Sequence, residues 1–301
     1  MERLSIKNLV KEIIAHNPLQ KKFLENSINK LDDDHINGLE EYIVFCEGQG
    51  ISIEFLAQSY NFIVRETMRE QMFFQKNKRY RYSTYKEVAQ SVYLNDDYMA
   101  KYMYGLAVTS FLWKQHQQMH TFFEQVLPHD KKGSFLEIGS GHGYYFMKAL
   151  RSTAFDNFTA IDISPTSVEM TKSIVKANVD DNLFSKTNIY ECDFLNLEIT
   201  QTFEGLVMGE VLEHVESPMT FLEKIHTLVN PDSFVYITTC ANAPEIDHLF
   251  LFKNDAEIID LVKRAGFQVE NQLVVPYNDY SVEETIAKEL PLNVALSLKK
   301  Q

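Results

Sequence analysis

The sequence predicts an α/β fold with a doubly wound, mostly parallel sheet, preceded by an all-α N-terminal domain. After residue 130, short apolar segments alternate with helical ones, which is typical of a parallel sheet with helices on both faces. Before residue 130, apolar residues recur with helical spacing and no strand is indicated. We therefore expect a helical cap over residues 1–121 and an α/β domain over residues 122–301.

Start signals define several helices of the N-terminal domain. Pro18 suits the first turn of a helix, while Asp32 and Ser52 suit the N-terminal caps of two others. Thr84 and Glu87 have the spacing of a capping box. These signals predict a domain built from consecutive short and medium-length helices.

A single long helix is expected from about Asp96 towards Gln125, at the end of the helical domain. Tyr98, Tyr102 and Gly105 fall on one of its faces. Most aromatic residues of this domain are expected in its core. Part of the helix face that carries Tyr102 is expected to cover a ligand site at the edge of the sheet.

Five strands are predicted in alternation with helices, and two more close the chain after residue 266. In an open sheet of this kind, ligands bind at the carboxyl ends of the strands, where the strand order reverses. The predicted strands are "SFLEIGS", "FTAIDIS", "NIYECDF", "GLVMGEV", "SFVYITTC", "QVENQLVV" and "NVALSLKK".

Composition narrows the class of protein. The chain has 301 residues, of which 45% are hydrophobic, and no apolar run approaches the roughly 20 residues of a membrane span. The N-terminal residues lack a signal-peptide core, and the three cysteines fit neither a disulfide framework nor a zinc pattern. We therefore expect a cytoplasmic, reduced protein with no membrane association. A homodimer is compatible with these features.

The net charge of -13 disfavours nucleic acid as a partner, because contact with phosphate backbones needs clustered Lys and Arg. The segment "KNKRYRYS", residues 76–83, is the exception, since it interleaves basic residues with tyrosines. Such a segment stacks on nucleic acid or holds an anionic small molecule in some proteins. A solvated connection between helices is the favoured interpretation, because charge runs are usually solvated.

The segment "FLEIGSGHGYYF" follows the first strand and carries glycines at alternate positions. Gly139 and Gly141 allow a sharp turn and close approach to a ligand, although a tight turn without chemical role fits the same pattern. The spacing differs from the dinucleotide fingerprint, because Tyr144 follows Gly143. Glu137, which precedes the loop, would repel a pyrophosphate and suits a cationic amine.

Two further acids end the next two strands. A carboxylate at Asp162 can accept hydrogen bonds from both hydroxyls of a ribose, and Asp193 can accept from the exocyclic amine of adenine. A ribose, an adenine and an ammonium group without a phosphate together describe S-adenosylmethionine. The sequence therefore predicts this cofactor.

The chain at this point resembles the class I S-adenosylmethionine-dependent methyltransferases over roughly residues 122–298. The motifs that carry the resemblance, in order, are "LEIGSGHG", "AIDIS", "CDF", "GEVLEHV" and "DHLFLFKNDAEIIDLVKRAGFQV". The resemblance implies a seven-stranded Rossmann-like sheet with one antiparallel strand near its end. It also implies cofactor contacts, with the methionine end at Glu137, Gly139 and Gly141, the ribose and adenine at Asp162, Ile163, Asp193 and Phe194, and Glu210 beside the methionine.

Chemistry is expected at the end of the fourth strand, where "GEVLEHV" places Glu210, Glu213 and His214 on one helical face. His248 follows the fifth strand on the same side of the sheet. Three interpretations stay open. The residues are structural, or His214 or His248 is a general base for the acceptor, or the four bind a divalent metal ion.

A second resemblance bears on the metal. Small-RNA 2′-O-methyltransferases and methyltransferases of ubiquinone synthesis carry a similar Glu-x-x-Glu-His motif, and in the RNA enzymes a later histidine joins it around a metal. The resemblance implies Glu210, Glu213, His214 and His248 as metal ligands. Against this, similar motifs occur in many methyltransferases that need no metal.

We thus expect an S-adenosylmethionine-dependent methyltransferase that acts on oxygen, nitrogen or carbon of a small-molecule acceptor under a helical cap. The acceptor is expected to be partly aromatic or to carry a carboxylate. One alternative is a metal-assisted RNA or protein methyltransferase. The other is a non-catalytic S-adenosylmethionine-binding module, which the intact cofactor acids disfavour.

Overall fold

The computed structural model describes residues 4–89, 92–199 and 201–301, and the first half of the chain is helical. A 3₁₀ turn at Pro18–Gln20 leads into the second helix, as the position of Pro18 predicts. The helices of this half are α1 (Leu4–His16), α2 (Lys21–Ile28), α3 (Asp33–Gly48), α4 (Ile53–Asn77), α5 (Tyr85–Ala89), α6 (Asp96–Leu112) and α7 (Lys114–Val126).

The second half forms one seven-stranded sheet with the strand order β3-β2-β1-β4-β5-β7-β6. Strand β7 is antiparallel to both of its neighbours, while the other pairs are parallel. This topology is the class I methyltransferase fold, so the predicted fold class is confirmed. The strands are β1 (Ser134–Ile138), β2 (Asn157–Asp162), β3 (Thr187–Glu191), β4 (Phe203–Gly209), β5 (Val229–Ala241), β6 (Phe267–Val275) and β7 (Leu292–Lys300).

Helices connect the strands and cover both faces of the sheet. Short 3₁₀ turns follow β3 at Phe194–Asn196 and β4 at Leu212–His214. The order reverses between β1 and β4, so the carboxyl ends of these strands open onto a shared crevice. The connecting helices are α8 (Tyr144–Ser152), α9 (Pro165–Asn178), α10 (Asp181–Phe184), α11 (Pro218–Leu228), α12 (Asp255–Arg264) and α13 (Val282–Ala287).

The predicted N-terminal caps are present. The Asp32 side chain accepts a hydrogen bond from the backbone N–H of His35, and Ser52 accepts one from Phe55. Each bond satisfies an N–H that has no partner within its own helix, which stabilises the helix by about 1 kcal/mol. The Glu87 carboxylate accepts from the backbone N–H of Thr84, which is half of the predicted capping box.

The prediction of one helix from residue 96 to 125 is wrong, because the chain breaks at Trp113. This residue has φ -96° and ψ 130°, which is extended rather than helical. The carbonyls freed by the break find new donors, since the Gln117 side chain donates to Phe111 O at 2.8 Å and the Ser27 hydroxyl donates to Leu112 O. The break redirects α7 away from α6 and onto the sheet.

Helix α7 joins the helical half to the sheet. The Tyr236 hydroxyl of β5 donates to the carbonyl of Met119 at 3.0 Å, and Phe123 packs against the Tyr145 and Tyr236 rings. The expected boundary between residues 121 and 122 therefore falls inside a helix that packs on the second half, and the division into two domains stays a prediction. Among the described helices, none has the length and apolar character that crossing a membrane requires.

Candidate active site

A cavity of about 900 Å³ lies at the carboxyl ends of β1, β2, β4 and β5, beneath α4, α6 and α7. The helical half contributes Met99, Tyr102 and Met103 to the wall of the cavity, whereas Tyr98 and Gly105 of the same helix do not line it. The ring of Tyr98 meets Phe62 edge to face and stacks on Tyr102, and Gly105 approaches the backbone of α4. This volume is at the upper end of the range for small-molecule sites, so it can hold two ligands side by side.

The glycine loop forms the floor of the cavity. Gly139 has φ 73° and Gly141 has φ 53°, both in the left-handed region that favours glycine. A Cβ atom at Gly139 would lie 2.5 Å from the side chain of Val211, so this position has no room for a larger residue. The Gly139 N–H donates to Ile161 O at 2.8 Å, which ties the loop to β2.

Two acids lie beside this loop. Glu137 is 1% exposed, and its Oε2 atom has no hydrogen-bond partner in the described part of the chain. Burial and the nearby Asp162 raise the pKa of Glu137 well above its ordinary value, so a cationic ligand would stabilise its charge. The carboxylate of Asp162 accepts from the N–H groups of Gly141 at 2.9 Å and Ser164 at 2.8 Å.

The other predicted cofactor residues line the same wall. Ile163 is 37% exposed at the mouth of the cavity, and Phe194 is buried against the ring of Phe221. The Asp193 carboxylate already accepts from Leu195 N–H and the Asn196 amide, each at 2.9 Å. An adenine amine at Asp193 would therefore share oxygens that also hold the 3₁₀ turn after β3.

Glu210 stands at the end of β4 with a strained backbone. Its φ of 51° is rare for a residue other than glycine, and strain of this kind concentrates at functional sites. The N–H of Glu210 donates to both oxygens of Thr238 at 3.0 Å, which holds this conformation. Burial and the neighbouring Glu213 raise the pKa of Glu210 well above its ordinary value.

Asp247, which the sequence analysis did not single out, links the two halves at the acceptor side of the cavity. Its carboxylate accepts from the hydroxyls of Tyr93 and Tyr102, each at 3.0 Å, and lies 3.3 Å from Nδ1 of His214. Burial alone would lower the pKa of His214, but the Asp247 and Glu213 carboxylates outweigh it and raise the pKa to about 10. His214 is therefore an imidazolium at neutral pH.

His248 differs from His214. Burial and the positive charge of His214 lower the pKa of His248 to about 4, so its ring is neutral at pH 7. The ring Nδ1 lies 2.5 Å from the carbonyl of Ala243 and must be its donor, which fixes the tautomer. The rings of His214 and His248 meet edge to face with centroids 4.6 Å apart.

The four expected metal ligands do not converge as one set within the described residues. Glu213 and His248 converge with Cys240, and His214 and His248 converge with Asp247, while Glu210 joins neither group. The Glu213 carboxylate also accepts from Thr239 at 2.7 Å. A donor set of one carboxylate, one imidazole and one thiol suits zinc, so a metal stays a prediction with Cys240 as an additional candidate ligand.

Glu245, also absent from the sequence predictions, lies in the loop after β5. Its Oε1 atom accepts from the Thr67 hydroxyl of α4 at 2.7 Å, and its Oε2 atom is shielded from solvent and without a partner in the ranges that the structure describes. Burial and the charge of Asp247 raise the pKa of Glu245 to about 8. The signal for Glu245 and Asp247 was their place in "NAPEIDH", directly after a strand that ends at the site.

The basic segment is exposed to solvent over residues 76–79 and is packed against the protein at Tyr80 and Arg81. Arg81 donates to the Oε2 atom of the buried Glu70 at 2.9 Å and lies over the ring of Phe73. Tyr80 is buried and meets the ring of His248 edge to face. These contacts hold Tyr80 and Arg81 in place, while the exposed part agrees with the solvated connection that the sequence predicts.

The sheet order, the glycine loop and the unpaired Glu137 beside it define a class I S-adenosylmethionine-dependent methyltransferase, an enzyme. Residues 112–272 match the model of a family described as "Methyltransferase domain", and the chain belongs to that family.

Similar proteins act on different acceptors according to their names. The EEF1A lysine methyltransferase 2 of Danio rerio is 24% identical over 169 residues, which is 52% of this chain and 70% of that protein. The mitochondrial ubiquinone biosynthesis O-methyltransferase of Schizosaccharomyces pombe is 31% identical over 104 residues, 35% of this chain and 36% of that protein. The chain thus matches only about a third of the length of the yeast relative.

Two solved structures show the same fold. The mitomycin 7-O-methyltransferase MmcR has a TM-score of 0.54 at 11% identity, over 83% of this chain and 70% of that one. Phosphoethanolamine N-methyltransferase 2 of Haemonchus contortus, in complex with S-adenosylmethionine, has a TM-score of 0.54 at 13% identity, over 73% of this chain and 60% of that one. At such low identity these structures bear on the fold alone.

Proposed function

We propose that this methyltransferase transfers the methyl group of S-adenosylmethionine to a small molecule enclosed between the sheet and the helical half. The observation that carries the proposal is the cavity of about 900 Å³, whose walls come from both halves. The Tyr93 and Tyr102 hydroxyls bond to Asp247 across this junction, which fixes the roof relative to the floor. A roofed cavity suits a small acceptor better than a large RNA or protein surface.

Within this proposal the cofactor residues keep their predicted roles. Glu137, Gly139 and Gly141 hold the methionine end, with the unpaired Oε2 of Glu137 facing its ammonium group. Asp162 and Ile163 hold the ribose and adenine, Asp193 and Phe194 border the adenine, and Glu210 borders the methionine. Support comes from the shared wall that these residues form in one cavity.

S-adenosylmethionine, when bound, supplies a methyl group that is already activated by its sulfonium. The protein then needs to align the acceptor in line with the methyl group and to exclude water. Tyr93 and Tyr102 hold Asp247, and Asp247 holds the charged His214, so the wall on the acceptor side is rigid. His214 and His248 stay the proposed catalytic histidines. His214 is charged and is held by Asp247, and the neutral His248 is the histidine that can take up a proton.

A second candidate is methylation of a protein lysine, which the name of the Danio rerio relative brings forward. A transfer assay separates the two. The enzyme is incubated with S-adenosyl[methyl-³H]methionine and either a filtered small-metabolite extract or the retained macromolecules of the same extract. We expect label in the small-molecule fraction, and less of it with Asp162→Ala at a subsaturating concentration of the cofactor. Label that enters only the protein or RNA fraction would contradict the small-molecule proposal.

A further inference from the structure

The charges around the cavity are strongly one-sided. Among the described residues that line it, there is no lysine and no arginine. Burial lowers the pKa values of His116 and His142 to about 4, so these histidines add no positive charge at neutral pH. His214 also lines the cavity and is charged, but its charge is paired with the carboxylate of Asp247. The acidic residues of the lining are Glu137, Asp162, Asp193, Glu210, Glu213, Glu216, Glu245 and Asp247.

Most of these acids already have partners. Asp247 accepts from two tyrosines and pairs with His214, and Glu213 accepts from Thr239. Asp162 accepts from the backbone N–H of Gly141 in the glycine loop, and Asp193 accepts from that of Leu195. Glu137 is assigned to the ammonium group of the cofactor. Glu216 accepts from the backbone N–H of Tyr85 at 2.8 Å. Two shielded oxygens without a partner in the described ranges are left, Oε1 of Glu210 and Oε2 of Glu245. Glu210 is assigned beside the methionine of the cofactor, whereas Glu245 lies on the acceptor side beside Asp247.

We propose that the methyl acceptor is an amine, whose ammonium group pairs with Oε2 of Glu245 before the reaction. This inference rests on the proposed function and names its substrate class. A buried carboxylate oxygen without a partner is costly, and an ammonium group supplies both the charge and the hydrogen-bond donor that it lacks. An acceptor with a carboxylate would meet an acidic wall without a lysine or arginine to receive it.

The aromatic side of the cavity fits the same ligand. Tyr85 and Tyr93 stack with centroids 5.6 Å apart, and both line the cavity with Tyr102. Tyrosine faces attract cations and pack against the apolar part of an amine. The thioether side chains of Met68, Met99 and Met103 complete an adaptable apolar wall. An aryl-alkyl amine therefore matches both surfaces.

The reaction balances with these groups. The ammonium gives one proton to the Glu245 carboxylate, which leaves a neutral amine with a free lone pair. That lone pair forms the new N–C bond to the methyl carbon while the C–S bond breaks and its electrons stay on sulfur. The products are a methylated ammonium and neutral-sulfur S-adenosylhomocysteine, and the proton on Glu245 passes to solvent.

Binding of three matched probes tests the inference. Phenethylamine, 2-phenylethanol and 3-phenylpropionate are titrated calorimetrically into the enzyme saturated with S-adenosylhomocysteine. We expect the amine to bind at least about tenfold more tightly than the alcohol or the acid, as loss of a charge-assisted hydrogen bond implies. Glu245→Gln can still accept the hydrogen bond from Thr67 but has no charge. In this variant the amine should bind about as tightly as the alcohol.

Glu270→Gln, an exposed position on β6, is the matched control and should keep the preference for the amine. Equal or tighter binding of the acid, an unchanged preference in Glu245→Gln, or no binding of phenethylamine would each overturn the inference. Calorimetry with S-adenosylmethionine on the same preparations separates a failure of the amine inference from a failure of the proposed function. Retained cofactor binding with no amine preference rejects the amine alone, whereas absent cofactor binding rejects the proposed function as well.

Turnover gives a second readout that does not depend on the probe. Labelled product formed from a small-metabolite extract is passed over cation-exchange resin at pH 7, with and without prior acetylation of the extract. An amine acceptor predicts label that is retained on the resin and abolished by acetylation. Label that flows through, survives acetylation, enters only protein lysines, or fails to form although the cofactor binds would contradict a small amine acceptor.

Discussion

The imidazole of His214 lies against the carboxylate of Asp247, with Nδ1 3.3 Å from Oδ2. Asp247 is 1% exposed, so its charge depends on this contact and on the two tyrosine hydroxyls that donate to it. Burial by itself would raise the pKa of Asp247, but His214 and the other donors hold it well below its ordinary value. One side of the cavity is thereby fixed by an ion pair.

Asp247→Asn should lower the pKa of His214 from about 10 by several units, because the main source of its stabilising negative charge is removed. Imidazole ¹⁵N chemical shifts followed by NMR against pH measure this value directly. Asp260→Asn, at an exposed position on α12, is the control and should leave the titration unchanged. A His214 pKa near 6.5 in the wild type would show that the ion pair is absent.

The same pair predicts how stability depends on pH. The folded state raises the pKa of His214 above its unfolded value of about 6.5, so it binds the proton more tightly than the unfolded chain. Its stabilising effect is fully present below pH 6.5 and is lost as the pH rises through about 10. Urea unfolding should show a larger difference in free energy between wild type and His214→Gln at pH 6.5 than at pH 10. An identical difference at both pH values would contradict the pairing.

Tyr102→Phe tests the link between the two halves. The variant removes one donor from the buried Asp247 carboxylate and should lower the free energy of unfolding by about 1 to 3 kcal/mol. Tyr277→Phe, at an exposed tyrosine, is the matched control and should change it by less than about 0.5 kcal/mol. Equal effects of the two substitutions would show that the Tyr102 hydroxyl does not stabilise the junction.

The metal prediction is tested on protein purified without a histidine tag. A site that includes Glu213 and His248 predicts about one divalent ion per chain, activity that a chelator abolishes and a divalent ion restores, and a lower metal content in His248→Ala. Cys240→Ser would show whether the thiol takes part. Metal-free protein with turnover that resists the chelator would leave these residues with a structural or acid–base role.

The fold could be predicted from the sequence because its signals are local. Alternation of strands and helices gave the parallel sheet, and capping residues such as Asp32 and Ser52 marked real helix starts. The acids Glu137 and Asp162 could be found for the same reason, since each lies at the end of a short apolar segment that predicts a strand. They lie together around the cavity, although their contacts with the cofactor stay a proposal.

Features that depend on long-range contacts could not be predicted. The break at Trp113 is stabilised by Ser27, far away in the chain, so helical periodicity alone continues through it. The pairing of Tyr93 with Asp247 joins residues 154 positions apart. The sequence treats His214 and His248 alike, because burial and neighbouring charges depend on the fold. These two effects move the pKa values of the two histidines in opposite directions.

Calorimetric titration of the protein with S-adenosylmethionine, beside NADH and ATP, is the most direct test of the assigned cofactor site. We expect the wild type to bind S-adenosylmethionine and neither nucleotide. Asp162→Ala should weaken binding by about 1.5 to 3 kcal/mol through loss of charge-assisted hydrogen bonds. Asp260→Ala, far from the cavity on α12, should bind as the wild type does. Tight binding of NADH or ATP, or undiminished affinity in Asp162→Ala, would contradict this assignment.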